Sequence, residues 1–220
     1  MNLNETVRIG ERIAANRFCI QPMEAGDAGA GGLPSKYTMA RYHRYAAGGA
    51  GTVVIEAVTM QYRFLVGAKL SLFEEIEGGQ ELSEMLDLAA GLEARGTDFF
   101  IESLGNAQLS WSLMAPGARN REDLYKHLAA ARLLKGSLKP ETVVIGGGLS
   151  VLGRDLPAAA ECAVGSGIFD VAAIGRQAFA DPSLPEKYAT GRLDEVDWCL
   201  CCDQCGRMLQ RGWNSYCAVY

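Results

Sequence analysis

Asp170-Val171-Ala172-Ala173-Ile174-Gly175-Arg176 is the stretch whose reading decides the fold. Its apolar residues run without polar alternation, as in a parallel strand covered on both faces. Gly175 and Arg176 follow at once, with Ala180-Asp181-Pro182 behind them. Upstream, Thr142-Val143-Val144-Ile145 repeats the pattern and ends in Gly146-Gly147-Gly148. A helix of small residues, Leu156 to Val164, joins these two strands.

The same rhythm extends towards the N-terminus. Arg17 to Pro22, Thr52 to Glu56, Ala68 to Leu72 and Asp98 to Glu102 read as four earlier strands. Pro34 suits the first turn of a helix that Gly48-Gly49 stops. Gln80 to Arg95 forms a helix with the stripe Leu82, Met85, Leu86, Ala89 and Leu92, stopped at Gly96. Asn120 caps a further helix with the stripe Leu124, Leu128, Ala131 and Leu134. Six βα units in series predict an α/β fold with a parallel sheet and helical crossovers. No Pro-, Ser- or Gly-rich linker divides them.

Neither glycine loop has the spacing of a dinucleotide fingerprint: Gly26-Asp27-Ala28-Gly29-Ala30-Gly31-Gly32 does not fit it, and Gly146-Gly147-Gly148 lies too late in the chain. The second loop reads as a tight turn or as backbone N–H groups presented to a phosphate. Apolar residues make up 49% of the 220, enough for a sizeable core. The net charge of -5, with no basic run, argues against nucleic acid and anionic lipid as partners. No signal-peptide core or membrane-length apolar run is present, so the cytoplasm is the expected location.

Five of seven cysteines fall near the C-terminus: Cys199, Cys201, Cys202, Cys205 and Cys217. Such a cluster reads as metal or redox chemistry rather than a disulfide scaffold. Cys199-x2-Cys202-x2-Cys205-x11-Cys217 sets three thiols close together and a fourth apart, which suits a [4Fe–4S] cluster. Structural zinc prefers paired cysteines and is the alternative, with free thiols a third. Cys201 is a surplus thiol able to compete with Cys202. Cys19 and Cys162 read as buried small hydrophobes.

The order of these segments resembles the Old Yellow Enzyme family, and more closely its subgroup with dienoyl-CoA reductase and trimethylamine dehydrogenase. The resemblance rests on Asn16-Arg17-Phe18 through Gln21-Pro22-Met23, Arg41-Tyr42 through Gly51, Glu56-Ala57, Lys69-Leu70-Ser71, Gly147-Gly148-Leu149, the Asp170–Arg176 stretch with Ala180-Asp181-Pro182, and the cysteine tail. It implies a TIM-type parallel barrel over residues 1–196 with a Cys-rich extension over 197–220. It further implies FMN at the strand C-termini, fed by NAD(P)H, reducing an activated alkene or enone as the small-molecule substrate. Pro22, Met23 and Glu24 would line the flavin ring and Ala57 would approach it. Lys69 stands where the family carries an arginine near the ring's N1 edge. Gly147, Gly148, Gly175 and Arg176 would hold the phosphate. For Arg176 the plainer alternative is a surface salt bridge. The tail would carry the cluster that passes electrons to the flavin.

A complete barrel has eight units, and the family's third and fourth would fall between Ala57 and Lys69. Those units supply its substrate-binding histidines and a tyrosine proton donor. His43 and His127 read as helix-surface or half-buried residues, and Tyr62 as loop or a substitute donor. Six strands do not close with eight-strand geometry. Three outcomes follow: a tightened six-strand barrel, a barrel completed by a second copy, or a remnant with little flavin. The chain stops three residues past Cys217, so NAD(P)H is expected to act at the flavin face or through a separate electron-transfer partner.

Overall fold

The computed structural model describes residues 2–23, 25–29, 34–55 and 65–219. The chain opens with an antiparallel hairpin, β1 (Val7–Ile9) and β2 (Arg12–Ala14). Then follow β3 (Phe18–Ile20), α1 (Lys36–Ala47), β4 (Thr52–Val53), β5 (Gly67–Ser71), α2 (Leu82–Glu93) and β6 (Phe99–Ser103). The remainder comprises α3 (Trp111–Met114), α4 (Asp123–Ser137), β7 (Val143–Gly146), α5 (Leu156–Gly165), β8 (Val171–Ile174), α6 (Arg176–Ala180), α7 (Leu184–Ala189) and α8 (Gln204–Gln210).

Strands β3 to β8 pair in parallel in the order β4-β3-β8-β7-β6-β5, and the sheet curls into a TIM-like half-barrel. The end strands β4 and β5 do not pair with each other, so a closed six-strand barrel is not what forms among the described residues. The reason is geometric: strand number, tilt and shear are linked, and six strands held at this curvature leave a gap.

The period-two geometry of the strands sorts their residues into two cores. Cys19, Phe99, Ile101, Val143, Ile145, Val171 and Ala173 point inside the curl. Phe18, Ile20, Phe100, Val144, Ala172 and Ile174 point outward against the helices. Register aligns these sets across the sheet, with Cys19 opposite Ala173, and Phe99 opposite both Gly67 and Val143. Gly67 is required here, because a Cβ at that position would lie 2.2 Å from the Phe99 ring.

The hairpin β1–β2 is a finding the sequence reading did not anticipate. A lone hairpin is marginal in water. This one inserts Val7, Ile9 and Ala14 among the inward residues and floors the curl. Burying Val7 and Ile9 contributes about 1.5–3 kcal/mol each.

Local signals account for the helix ends. Ser35 caps α1, which puts Pro34 one residue before the cap and not in the first turn: the Ser35 hydroxyl accepts from the N–H groups of Tyr37 and Thr38, while the Thr38 hydroxyl accepts from the Ser35 N–H. Helix α2 ends before Gly96, whose φ of +95° lets the chain turn back. Asn120 does not cap α4. Its side-chain oxygen accepts backwards from Gly117 N–H, and its amide donates to Asp123 Oδ2, so α4 starts two residues later than a cap at Asn120 requires. Cys19 is buried, and burial pushes its thiol up to about 12, in keeping with a small hydrophobe. Cys162 is exposed on α5, because that helix turns its Ala160, Ala163 and Val164 side inward instead. Among the described residues no helix is long and apolar enough to cross a membrane.

Candidate functional site

The strands' C-terminal ends open into a cavity of about 440 Å³, within the size range of cofactor pockets. Pro22 and Met23 reach it from the end of β3, Lys69 from β5, Gly147 and Gly148 from the turn after β7, and Gly175 and Arg176 from the end of β8. Seven of the nine residues read from sequence as cofactor-binding therefore line one cavity. The other two, Glu24 and Ala57, lie outside the described residues, as do Glu56 and Tyr62.

The glycines have physical reasons to be glycine. A Cβ on Gly147 would come within 3.0 Å of Gln21 Nε2, and one on Gly175 within 3.2 Å of the Met23 sulfur. Gly148 has φ +76°, and its missing Cβ would lie 3.0 Å from the His127 ring. The loop carrying Pro22 and Met23 is pinned by Arg41 of α1. Its Nε and Nη2 donate to Asp27 at 2.9 and 3.0 Å, and its Nη1 donates to Met23 O at 3.3 Å. That guanidinium, through its hydrogen bond, holds the Asp27 carboxyl below the usual carboxylate range.

Arg176 is neither a free cation nor a surface salt bridge. It is 8% exposed, its Nη1 lies 2.6 Å from Asp203 Oδ1, and its Nη2 donates to the Pro116 carbonyl. The partner is a tail residue, so the tail closes over the same end of the cavity. Cys205, Gly206, Leu209 and Ser215 complete the lining there. Helix α8 sits so close that a Cβ on Gly206 would lie 2.2 Å from the Trp111 ring. Gln177 fastens the tail's start, donating from Nε2 to Asp197 O at 3.0 Å and accepting from Cys199 N–H at 2.9 Å. Asp181, of the Ala-Asp-Pro segment, accepts from Lys187 Nζ at 2.6 Å and from Asp197 N–H at 3.1 Å.

The five tail cysteines share one neighbourhood. Burial raises the Cys217 thiol, and the Cys199 and Cys202 thiols raise it further. Burial likewise raises Cys205, with Cys199 adding to it. Cys201 hydrogen-bonds with Cys199; that contact, with burial, holds Cys199 above the ordinary thiol value, and the same contact, with the Arg176 charge, holds Cys201 below it. Among the described residues no three His, Cys, Asp or Glu side chains converge as ligands of a single ion.

Glu102 and His127 are the residues the sequence reading missed. His127 was expected at a helix surface or half-buried, yet it is 2% exposed, and Glu102 is 1% exposed. His127 Nδ1 lies 2.7 Å from Glu102 Oε1, and its Nε2 donates to Leu113 O at 2.8 Å. Glu102 Oε2 accepts from Gly147 N–H at 3.0 Å. Burial works against charge on His127, but the Glu102 field and hydrogen bond outweigh it, and its pKa is raised. Both residues line the cavity, as does Gln21. Glu102 was already the last residue of an apolar strand, and a carboxylate at a barrel strand's C-terminal end is the signal that could have found it.

No protein-family model matches the chain. An NADH oxidase of Thermoanaerobacter brockii is 28% identical over 148 residues, which is 67% of this chain and 21% of that protein. Among solved structures, a 2-naphthoyl-CoA reductase in complex with 2-naphthoyl-CoA superposes with a TM-score of 0.80 at 14% identity. The match covers all of this chain and 57% of that one. A 6-hydroxypseudooxynicotine amine oxidase from Pseudomonas geniculata matches 70% of the chain, and 21% of its own, with a TM-score of 0.55 at 17% identity. These structural likenesses establish the shared fold. The chain spans 57% of the reductase chain and about a fifth of the NADH oxidase.

Proposed function

We propose that this chain is the flavin-binding part of an oxidoreductase of the Old Yellow Enzyme type, in the subgroup with dienoyl-CoA reductase and trimethylamine dehydrogenase. In this reading FMN carries hydride from NAD(P)H to an activated alkene or enone. The observation that carries it is the single cavity lined by Pro22, Met23, Lys69, Gly147, Gly148, Gly175 and Arg176. The cavity fits such a cofactor in volume and in its glycine-lined wall, where side chains would clash.

Bound FMN supplies a ring that takes up a hydride from one molecule and releases it to another. The chain's residues do the rest. Pro22 and Met23 wall the ring, and Lys69 brings positive charge to its N1 edge. Gly175 leaves room for the phosphate, and Arg176 offers it a guanidinium. Glu24 and Ala57 complete the set. The tail, residues 197–220, serves the barrel of residues 1–196 by holding a [4Fe–4S] cluster on Cys199, Cys202, Cys205 and Cys217. Support comes from Cys205, which belongs to the ligand set and to the cavity wall. The partners in this reading are a small-molecule substrate and either a second copy of the chain or a separate electron-transfer protein.

A second reading is a non-catalytic cofactor-binding or electron-transfer fragment with an iron–sulfur cluster. It is favoured by His127, whose two ring nitrogens are both engaged and so offer nothing to a substrate oxygen. The visible spectrum of anaerobically purified protein decides. Flavin bands that NADPH bleaches support the first reading. An iron–sulfur shoulder without flavin supports the second. A colourless, zinc-containing protein removes both.

A further inference from the structure

Glu102 and His127 tie β6, α4, α3 and the turn after β7 together at the cavity. Through Oε2, Glu102 fixes the N–H of Gly147. The His127 ring packs against Gly148, where an added Cβ would meet Cγ at 3.0 Å. Through Nε2, His127 holds Leu113 O in α3, the helix that contributes Trp111 and Met114 to the cavity. A carbonyl only accepts, so Nε2 carries a proton. Glu102 Oε1 lies 2.7 Å from Nδ1, and both side chains are almost fully buried.

Two adjacent glycines form the least constrained backbone a turn can have. Between β7 and the short 3₁₀ segment Leu149–Asp155, the Gly147-Gly148 turn gains its orientation from outside. Glu102 supplies one contact and His127 the other. Both side chains line the same cavity as Arg176. The Gly147 N–H, given to Glu102, is not a donor for a ligand; its role is to be held.

We infer that Glu102 and His127 are positioning residues that set the Gly147-Gly148 turn as the phosphate-facing wall of the cavity. The inference rests on the flavin reading above and deepens it. It predicts that the pair acts on the phosphate end of the cofactor and not on the ring.

FMN and riboflavin differ by that phosphate, so both are titrated into the full chain, followed by quenching of flavin fluorescence. Glu102→Gln and His127→Gln are expected to weaken FMN binding by about tenfold, the scale of one buried polar contact. Riboflavin binding stays as in the wild type. The ³¹P resonance of bound FMN shifts in both variants while the flavin's visible bands keep their positions. A lone buried charge can unfold a protein, so Glu102→Gln/His127→Gln, which leaves no buried charge at the pair, is measured alongside. It is expected to fold and to show the same selective loss. Equal losses for FMN and riboflavin, or no loss for either, overturn the pair's role while leaving the flavin site standing. A wild-type chain that binds neither flavin overturns the flavin reading and this inference with it.

Discussion

Nη1 of Arg176 lies 2.6 Å from Oδ1 of Asp203, and this contact joins the last barrel strand to the cysteine tail. Asp203 makes it from a left-handed backbone conformation, φ +56°, between Cys202 and Cys205. The tail is thus built to bring a carboxylate to the guanidinium.

Replacing Asp203 by Asn should loosen that junction. Arg176 would keep the Pro116 carbonyl but lose its counter-charge while remaining 8% exposed. A charged hydrogen bond of this kind is worth about 1.5–3 kcal/mol. The urea unfolding midpoint should fall accordingly, with the slope of the transition unchanged.

His127 gives the fold a pH signature. Its folded-state pKa is raised above the ordinary 6.5: burial opposes the charge, but Glu102 and the Leu113 carbonyl outweigh it, and Asp123 adds its field. A raised pKa contributes stability that is fully present below the unfolded value and is lost as pH rises through the folded one. Urea midpoints measured from about pH 5 to about pH 9 should therefore decline above the ordinary imidazole value. In His127→Gln that component of the decline should vanish.

Two glycines should respond in opposite directions. A Cβ on Gly48, at the end of α1, would lie 2.0 Å from the Pro182 carbonyl oxygen, a backbone atom that cannot swing aside. Gly48→Ala should cost about 1–3 kcal/mol, read as a lowered thermal midpoint. Gly136 lies in α4 with nothing within 4 Å of an added Cβ. Gly136→Ala should raise the midpoint, by about 0.5–1 kcal/mol of helix stabilisation.

The tail's ligand set can be tested by counting iron and acid-labile sulfide in anaerobically prepared protein. Cys217→Ser should lower both, since Cys217 is the set's distant fourth member. Cys201→Ser should leave both unchanged. Iron retained in the first variant and lost in the second would make Cys201 a ligand in its place.

The sequence displayed most of the six strands because they are apolar on both faces, as in the run Val143-Val144-Ile145 bounded by short loops; β5, with Lys69 and Ser71, is the weakest of them. It displayed most of the cavity because glycines and an arginine directly after strands mark the C-terminal rim. It hid the hairpin, whose strands hold three residues each and bury only Val7, Ile9 and Ala14. It hid His127 because α4 carries polar residues around much of its surface, so one more gave no hint of facing inward. It hid the Arg176–Asp203 pair because nothing local links positions 27 residues apart.

The hairpin beneath the barrel has one more implication. Val7 and Ile9 fill the strands' N-terminal end among the described residues. The cavity lies at the opposite end, where α8 rests on Trp111. Tail and cavity share a wall, and the fit of Gly206 against that indole fixes how closely the tail approaches it.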